Sequence, residues 1–158
     1  MIERIAAVSP DLSIERDALP KDGWPAGRVS AAEIHYTTDR LLPPEQAPHL
    51  RWIHSHWAGI EAFVDTPAWA GDAILTTTSG IHAPNIGQYV LAQMLAWANR
   101  VPRWLRAQRE GHWPQGRRET FMATELAGQT LGIIGYGSIG REVARLARAF
   151  NMTILVTK

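Results

Sequence analysis

The stretch Thr130-Leu131-Gly132-Ile133-Ile134-Gly135-Tyr136-Gly137-Ser138-Ile139-Gly140 decides the fold of this chain. A short apolar run enters Gly-x-Gly-x-x-Gly, and an amphipathic pattern follows from Arg141 to Phe150. That order is strand, glycine turn and helix. Gly135 suits the bend out of the strand, Gly137 lets the backbone approach a phosphate with no Cβ in the way, and Gly140 lets the helix pack closely on the strand. Ile139, Val143, Leu146, Ala147 and Phe150 fall on one helical stripe, which predicts the side facing the sheet. A second strand, Thr153-Ile154-Leu155-Val156-Thr157, completes a βαβ unit of about thirty residues. The helix N-terminus of such a unit receives a pyrophosphate. Gly135, Tyr136, Gly137, Ser138, Ile139 and Gly140 are therefore candidate cofactor-binding residues, and a glycine-rich turn that only links strand to helix is the alternative.

The end of the second strand bears on which dinucleotide is bound. An NAD-binding unit usually presents Asp or Glu there to the ribose hydroxyls. This chain presents Thr157-Lys158. A lysine cannot accept those hydrogen bonds and would attract a 2′-phosphate, which tilts the cofactor from NAD toward NADP. A frayed terminal lysine with no partner is the bland alternative.

Composition narrows the class. With 158 residues, 46% hydrophobic and 20% charged, the sequence suits a globular chain with a real core. A net charge of +1 points to neither nucleic acid nor an acidic membrane as partner. No apolar run is long enough to span a bilayer, and Met1 opens no signal-peptide pattern. The absence of cysteine excludes disulfides and thiolate metal sites, and a reducing cytoplasm is the expected location. No metal site is expected.

Upstream, short apolar segments alternate with helical ones. Glu3 to Ser9 has the pattern of a helix end, Leu12 to Arg16 of a short strand, and Ala18 to Gly27 of a loop. Glu33-Ile34-His35-Tyr36-Thr37, Arg51-Trp52-Ile53-His54-Ser55 and Ala73-Ile74-Leu75-Thr76-Thr77-Thr78 have strand character, with a short helix at Ile60 to Phe63. A long helix is predicted from Pro84-Asn85 through Tyr89, Val90, Met94 and Trp97, apolar nearly all round and so buried between layers or in a subunit interface. Alternating strands and helices imply parallel α/β architecture. The stretch from Arg100 to Glu119 interleaves Arg100, Arg103, Arg106, Arg109, Arg117 and Arg118 with Trp104 and Trp113. Phosphate contacts and base stacking are one explanation. A solvated helix and an arm packed on a partner subunit are the favoured one.

Three segments together carry a family resemblance. Leu50-Arg51-Trp52-Ile53-His54-Ser55-His56-Trp57-Ala58-Gly59-Ile60-Glu61 resembles the substrate-domain signature of the D-isomer-specific 2-hydroxyacid dehydrogenases. Thr78-Ser79-Gly80-Ile81-His82 with Gln88-Tyr89-Val90-Leu91-Ala92 is similar to that family's entry into its long interdomain helix. Glu125-Leu126-Ala127-Gly128-Gln129-Thr130-Leu131-Gly132-Ile133-Ile134-Gly135 resembles its approach to the cofactor turn. The resemblance covers residues 48 to 158 and implies a flavodoxin-like parallel substrate domain, present in part, leading into the first βαβ unit of a Rossmann NAD(P)-binding domain. The implied divisions are 1–100 for the substrate domain, 101–125 for the helix end and dimer arm, and 126–158 for the dinucleotide unit.

The resemblance implies reduction of a small 2-keto acid, such as glyoxylate, hydroxypyruvate or pyruvate, with NADH or NADPH, in a homodimer. Backbone amides around Ala58, Gly59 and Ile60 would face the substrate carboxylate, as N–H groups bind anions without a charged side chain. Gly80 would lie on the same cleft, and the pyrophosphate would rest on Tyr136 to Ile139. Two positions depart from the family pattern: Glu61 stands for an aspartate, and Gln88 for an acidic residue. The family's arginine, glutamate and proton-donating histidine match nothing in this chain. Among His35, His49, His54, His56, His82 and His112, only His56 and His82 border the expected cleft. The chain thus resembles the first half of a dehydrogenase, expected to be inactive alone. A non-catalytic dinucleotide-binding or dimerisation remnant is the alternative.

Overall fold

The computed structural model describes residues 2–16, 27, 29–38, 40–67, 71–113, 115, 119 and 121–158. These fall into two compact units, Met1–Thr78 and Ser79–Lys158. The loop expected at Ala18 to Gly27 lies almost wholly outside the described residues, as do Arg117 and Arg118.

The first unit opens with a helical turn, α1 (Ile2–Ala6), and carries three strands, β1 (Ile34–Thr37), β2 (Trp52–Ser55) and β3 (Ile74–Thr77). They form one parallel sheet in the order β1-β2-β3, with Tyr36 opposite His54 and His54 opposite Thr76. Each strand contains β-branched or aromatic residues, which suit a pleated surface. Successive side chains alternate across the sheet: His35, Thr37, Ile53 and Ser55 are buried, joining Leu42, Ala47 and Phe63 in the core. The buried hydroxyls are satisfied locally, since Thr37 Oγ1 donates to the Arg40 carbonyl (2.6 Å) and Ser55 Oγ accepts from the Trp57 N–H (3.1 Å). The opposite face presents Ile34, Tyr36, Trp52 and Ile74 to solvent.

Two expectations for this unit fail. Leu12 to Arg16 forms no strand; Leu12 and Ile14 are exposed, and among the described residues no strand pairs with them. Ile60 to Phe63 is not a helix but a single turn. The Ile60 carbonyl accepts both the Phe63 N–H (2.9 Å) and the Val64 N–H (3.3 Å), and Asp65 at φ 64° ends the run. The left-handed conformation at Asp65 stops a right-handed helix from propagating.

The second unit comprises α2 (Ala83–Ala98), α3 (Val101–Arg109), β4 (Thr130–Ile134), α4 (Ser138–Arg148) and β5 (Thr153–Thr157). The strands β4 and β5 pair in parallel, Thr130 opposite Thr153 through Ile134 opposite Thr157. Pro84 near the start of α2 and Pro102 near the start of α3 take positions where a missing N–H costs nothing. Arg100, at φ 54°, separates the two helices.

The burial of α2 differs from the sequence expectation. Only Ala83, Gly87, Leu91 and Ala98 are buried, while Tyr89 and Trp97 are exposed. The helix packs on α4, and Gly87 sets the approach: a Cβ there would stand 2.9 Å from Glu142 Cγ and 3.1 Å from Leu146 Cδ1. Residues 79–100 lie in the same compact unit as the glycine turn. The sheet-facing stripe of α4 is also narrower than the apolar pattern. Gly140, Val143, Ala144 and Ala147 are buried, whereas Ile139 and Phe150 are partly exposed. Phe150 lies beyond the last helical residue, so its side chain leaves the helical register.

Candidate functional site

The glycine turn joins β4 to α4. Gly135 has φ +89°, a left-handed conformation that glycine adopts without a Cβ penalty, and its N–H donates to the Thr157 carbonyl (2.9 Å). This bond ties the turn to the end of β5, so Lys158 leaves the sheet beside the turn. Gly137 precedes α4 in an extended conformation, with no side-chain cap and nothing within 4 Å of where a Cβ would stand. Open space there leaves room for a ligand to touch the backbone. At Gly140 the reverse holds. A Cβ would collide with the Gly135 carbonyl oxygen and stand 3.2 Å from Ile133 Cγ2, so the helix can cross the strand this closely only with glycine.

The first turn of α4 carries backbone N–H groups with no intrahelical partner, as every helix start does. No acidic side chain stands in that turn. Arg141 folds back on the turn, its Nη1 donating to the Tyr136 carbonyl at 3.2 Å. Helix dipole, free amides and guanidinium together favour an anion at Tyr136–Ile139. Glu142 and Arg145, one turn further along, pair with each other at 2.7 Å, and this hydrogen bond lowers the Glu142 pKa and raises that of Arg145. The geometry suits a dinucleotide pyrophosphate: an open backbone at Gly137, a bend at Gly135 and uncancelled donors at the start of α4.

The other candidate residues follow β2 in the first unit. Ala58 and Gly59 are exposed and Ile60 is half-buried. They leave the carboxyl end of a parallel strand, where ligands of open α/β sheets bind. His56 anchors the start of this segment. Its N–H donates to the Thr37 carbonyl (2.8 Å), its ring Nδ1 meets the Tyr36 hydroxyl at 2.5 Å, and its carbonyl accepts from Thr78 Oγ1. Its ring also meets Trp57 edge-on, with centroids 5.3 Å apart. One residue thus connects all three strand ends. On the same outward face Tyr36 stacks on His54 (5.6 Å), and Thr76 Oγ1 links His54 Nδ1 (2.8 Å) with Trp52 Nε1 (2.7 Å). His35, on the inner face, has its pKa lowered to about 4 by burial.

Gly80 belongs to the second unit, where it is exposed at φ +101° with open space around it. Within their own units, the structure brings Gly135–Gly140 together with Lys158, and Ala58–Ile60 together with His56 and Trp57. His82 immediately precedes α2 and makes no side-chain capping bond. Three features escaped sequence reasoning: the return of Arg141 to Tyr136, the Tyr36–His56 pair, and the Glu61 side chain beside Gly59. Only the first has a local signal, an arginine directly after the third glycine; Tyr36 and His56 are brought together by strand pairing alone. Among the described residues, no group of three or more His, Asp or Glu could hold a metal ion, and no helix is long and apolar enough to cross a membrane.

Comparison with known proteins agrees with this geometry. A family model described as the NAD-binding domain of D-isomer-specific 2-hydroxyacid dehydrogenases matches residues 91–158. A hydroxypyruvate reductase of Thermotoga maritima is 40% identical over 78 residues, covering 49% of this chain and 24% of that protein. A glyoxylate reductase of Pyrococcus furiosus is 31% identical over 115 residues, covering 70% of this chain and 34% of that protein. A solved D-isomer-specific 2-hydroxyacid dehydrogenase family protein from Aeromonas salmonicida superposes with a TM-score of 0.76 at 27% identity, covering 99% of this chain and 49% of that one. The chain therefore spans a minor part of the length of these curated relatives, and about half of the solved one.

Proposed function

The chain belongs to the D-isomer-specific 2-hydroxyacid dehydrogenase family, and from that premise we propose that it supplies one part of the site of an NAD(P)-dependent oxidoreductase acting on a small 2-keto acid. The observation that carries this is the glycine turn, where the bend at Gly135, the open backbone at Gly137 and the free donors of α4 meet.

The nicotinamide, when bound, supplies the hydride for the keto carbon. The residues of this chain bind and orient. Amides at Tyr136 to Ile139 hold the pyrophosphate, with Arg141 adding a positive charge at the same turn. Lys158, beside Gly135, favours a 2′-phosphate and hence NADP over NAD. Amides at Ala58, Gly59 and Ile60 receive the substrate carboxylate. Hydride arrival leaves charge developing on the carbonyl oxygen, so a positioned acid must deliver a proton and a cation must hold carbonyl and carboxylate. No residue of this chain is assigned to those two tasks, so the 158-residue chain alone binds and does not turn over. The arginine-rich segment following α2 serves a homodimer in the cytoplasm. The second interpretation, a binding or dimerisation remnant, is favoured by the same lack of an assignable proton donor.

Calorimetric titration of the purified chain with NADPH and with NADH tests the proposal. Saturable binding of both is expected, with NADPH tighter by about fivefold, the scale of one exposed charge contact. Lys158→Ala removes the difference. A folded sample that takes up neither nucleotide overturns the proposal.

A further inference from the structure

The segment after β2 contains an anion of its own. The N–H groups of His56 and Trp57 are engaged by the Thr37 carbonyl and Ser55 Oγ, but those of Ala58, Gly59 and Ile60 find no acceptor among the described residues. Beside these donors the Glu61 side chain folds back. A Cβ on Gly59 would collide with Glu61 Oε2 and would stand 3.1 Å from Cδ and 3.2 Å from Oε1. The carboxylate therefore covers the Cα of Gly59. It forms no ion pair among the described residues, so its charge is not neutralised in place. Length matters here: the aspartate that the family resemblance implies at this position is one methylene shorter and would not carry its carboxylate as far.

We propose that Glu61 is a specificity-determining residue that guards the Ala58–Ile60 donors against small carboxylate ligands. The proposal rests on the assignment of those amides to the substrate carboxylate. Two carboxylates at close range repel, and the repulsion strengthens as water is excluded. An incoming 2-keto acid must displace the Glu61 side chain into solvent, where its exposure leaves it room to go. The residue thus weakens binding of every ligand that offers only a carboxylate. Neutralising Glu61 removes the repulsion, and shortening it removes the overlap with Gly59.

The test uses the full chain labelled with ¹⁵N and titrated with oxalate, a stable mimic of a small keto acid, while the amide resonances of Ala58, Gly59 and Ile60 are followed. Saturable shifts are expected, with the dissociation constant roughly tenfold lower for Glu61→Gln and an intermediate value for Glu61→Asp. Resonance dispersion of each variant shows that it is folded. Equal dissociation constants in all three proteins would overturn the role of Glu61 while leaving the carboxylate assignment standing. Absence of any shift at residues 58–60 in all three would overturn the carboxylate assignment, and the guard with it.

Discussion

At the residue scale, His35 is a titratable group whose chemistry depends on the fold. Its side chain lies on the inner face of β1 at 8% exposure, and burial lowers its pKa from 6.5 to about 4. A depressed histidine favours the neutral form in the folded state. Between those two values the unfolded chain binds the additional proton, so stability rises with pH across that window. The contribution is complete above pH 6.5 and is lost as pH falls toward 4. Its ceiling is about 3 kcal/mol. Urea unfolding at a series of pH values should show this slope in the natural chain and a shallower one in His35→Gln. Identical slopes would mean that the imidazole does not titrate on unfolding. None of this follows from the sequence, where His35 is one of six histidines with nothing to distinguish it. Its burial comes from the alternation of β1 against the core, which strand pairing creates.

At the scale of elements, the two close crossings rest on glycine but differ in what opposes a methyl group. At Gly140 the obstacle is the Gly135 carbonyl, which is backbone and cannot yield; at Gly87 it is the side chains of Glu142 and Leu146, which can. Gly140→Ala should therefore cost about 1–3 kcal/mol net as overpacking. Gly87→Ala should cost less, because the gain in helix propensity of roughly 1 kcal/mol offsets much of the side-chain shift. Thermal unfolding compares them directly, and an equal or greater loss for Gly87→Ala would contradict this account. The role of Gly140 was legible in the fingerprint spacing. That of Gly87 was not, because an isolated glycine within a helical pattern does not reveal which neighbour it approaches. The one-turn fate of Ile60–Phe63 was equally hidden, since the apolar spacing that predicts a helix does not register Asp65 at positive φ.

At the scale of the whole molecule, both sheets leave an apolar face in solvent. The face of β4 and β5 turned away from α4 presents Ile134, 92% exposed, and Leu155, while the outer face of β1–β3 presents Ile34, Trp52 and Ile74. Exposed apolar strands with open edges promote association between chains. Sedimentation velocity should show mass increasing with protein concentration, and Ile134→Lys should shift the distribution toward monomer. A natural chain that remains monomeric over the same range would show that these faces are not adhesive.

The sequence by itself determined the parallel α/β class, the strand–turn–helix–strand unit at 130–157 and the glycine positions of the turn, because these depend on short-range periodicity and on backbone conformations that few residues can adopt. It also placed the three upstream strands to within a residue or two. Only the tertiary structure decided that α2 buries a single stripe against α4, that Tyr36 meets His56 across a strand pair, that Arg141 returns to the turn and that Glu61 covers Gly59. Those arrangements depend on which surfaces meet once the chain is folded, and one-dimensional spacing carries no record of that.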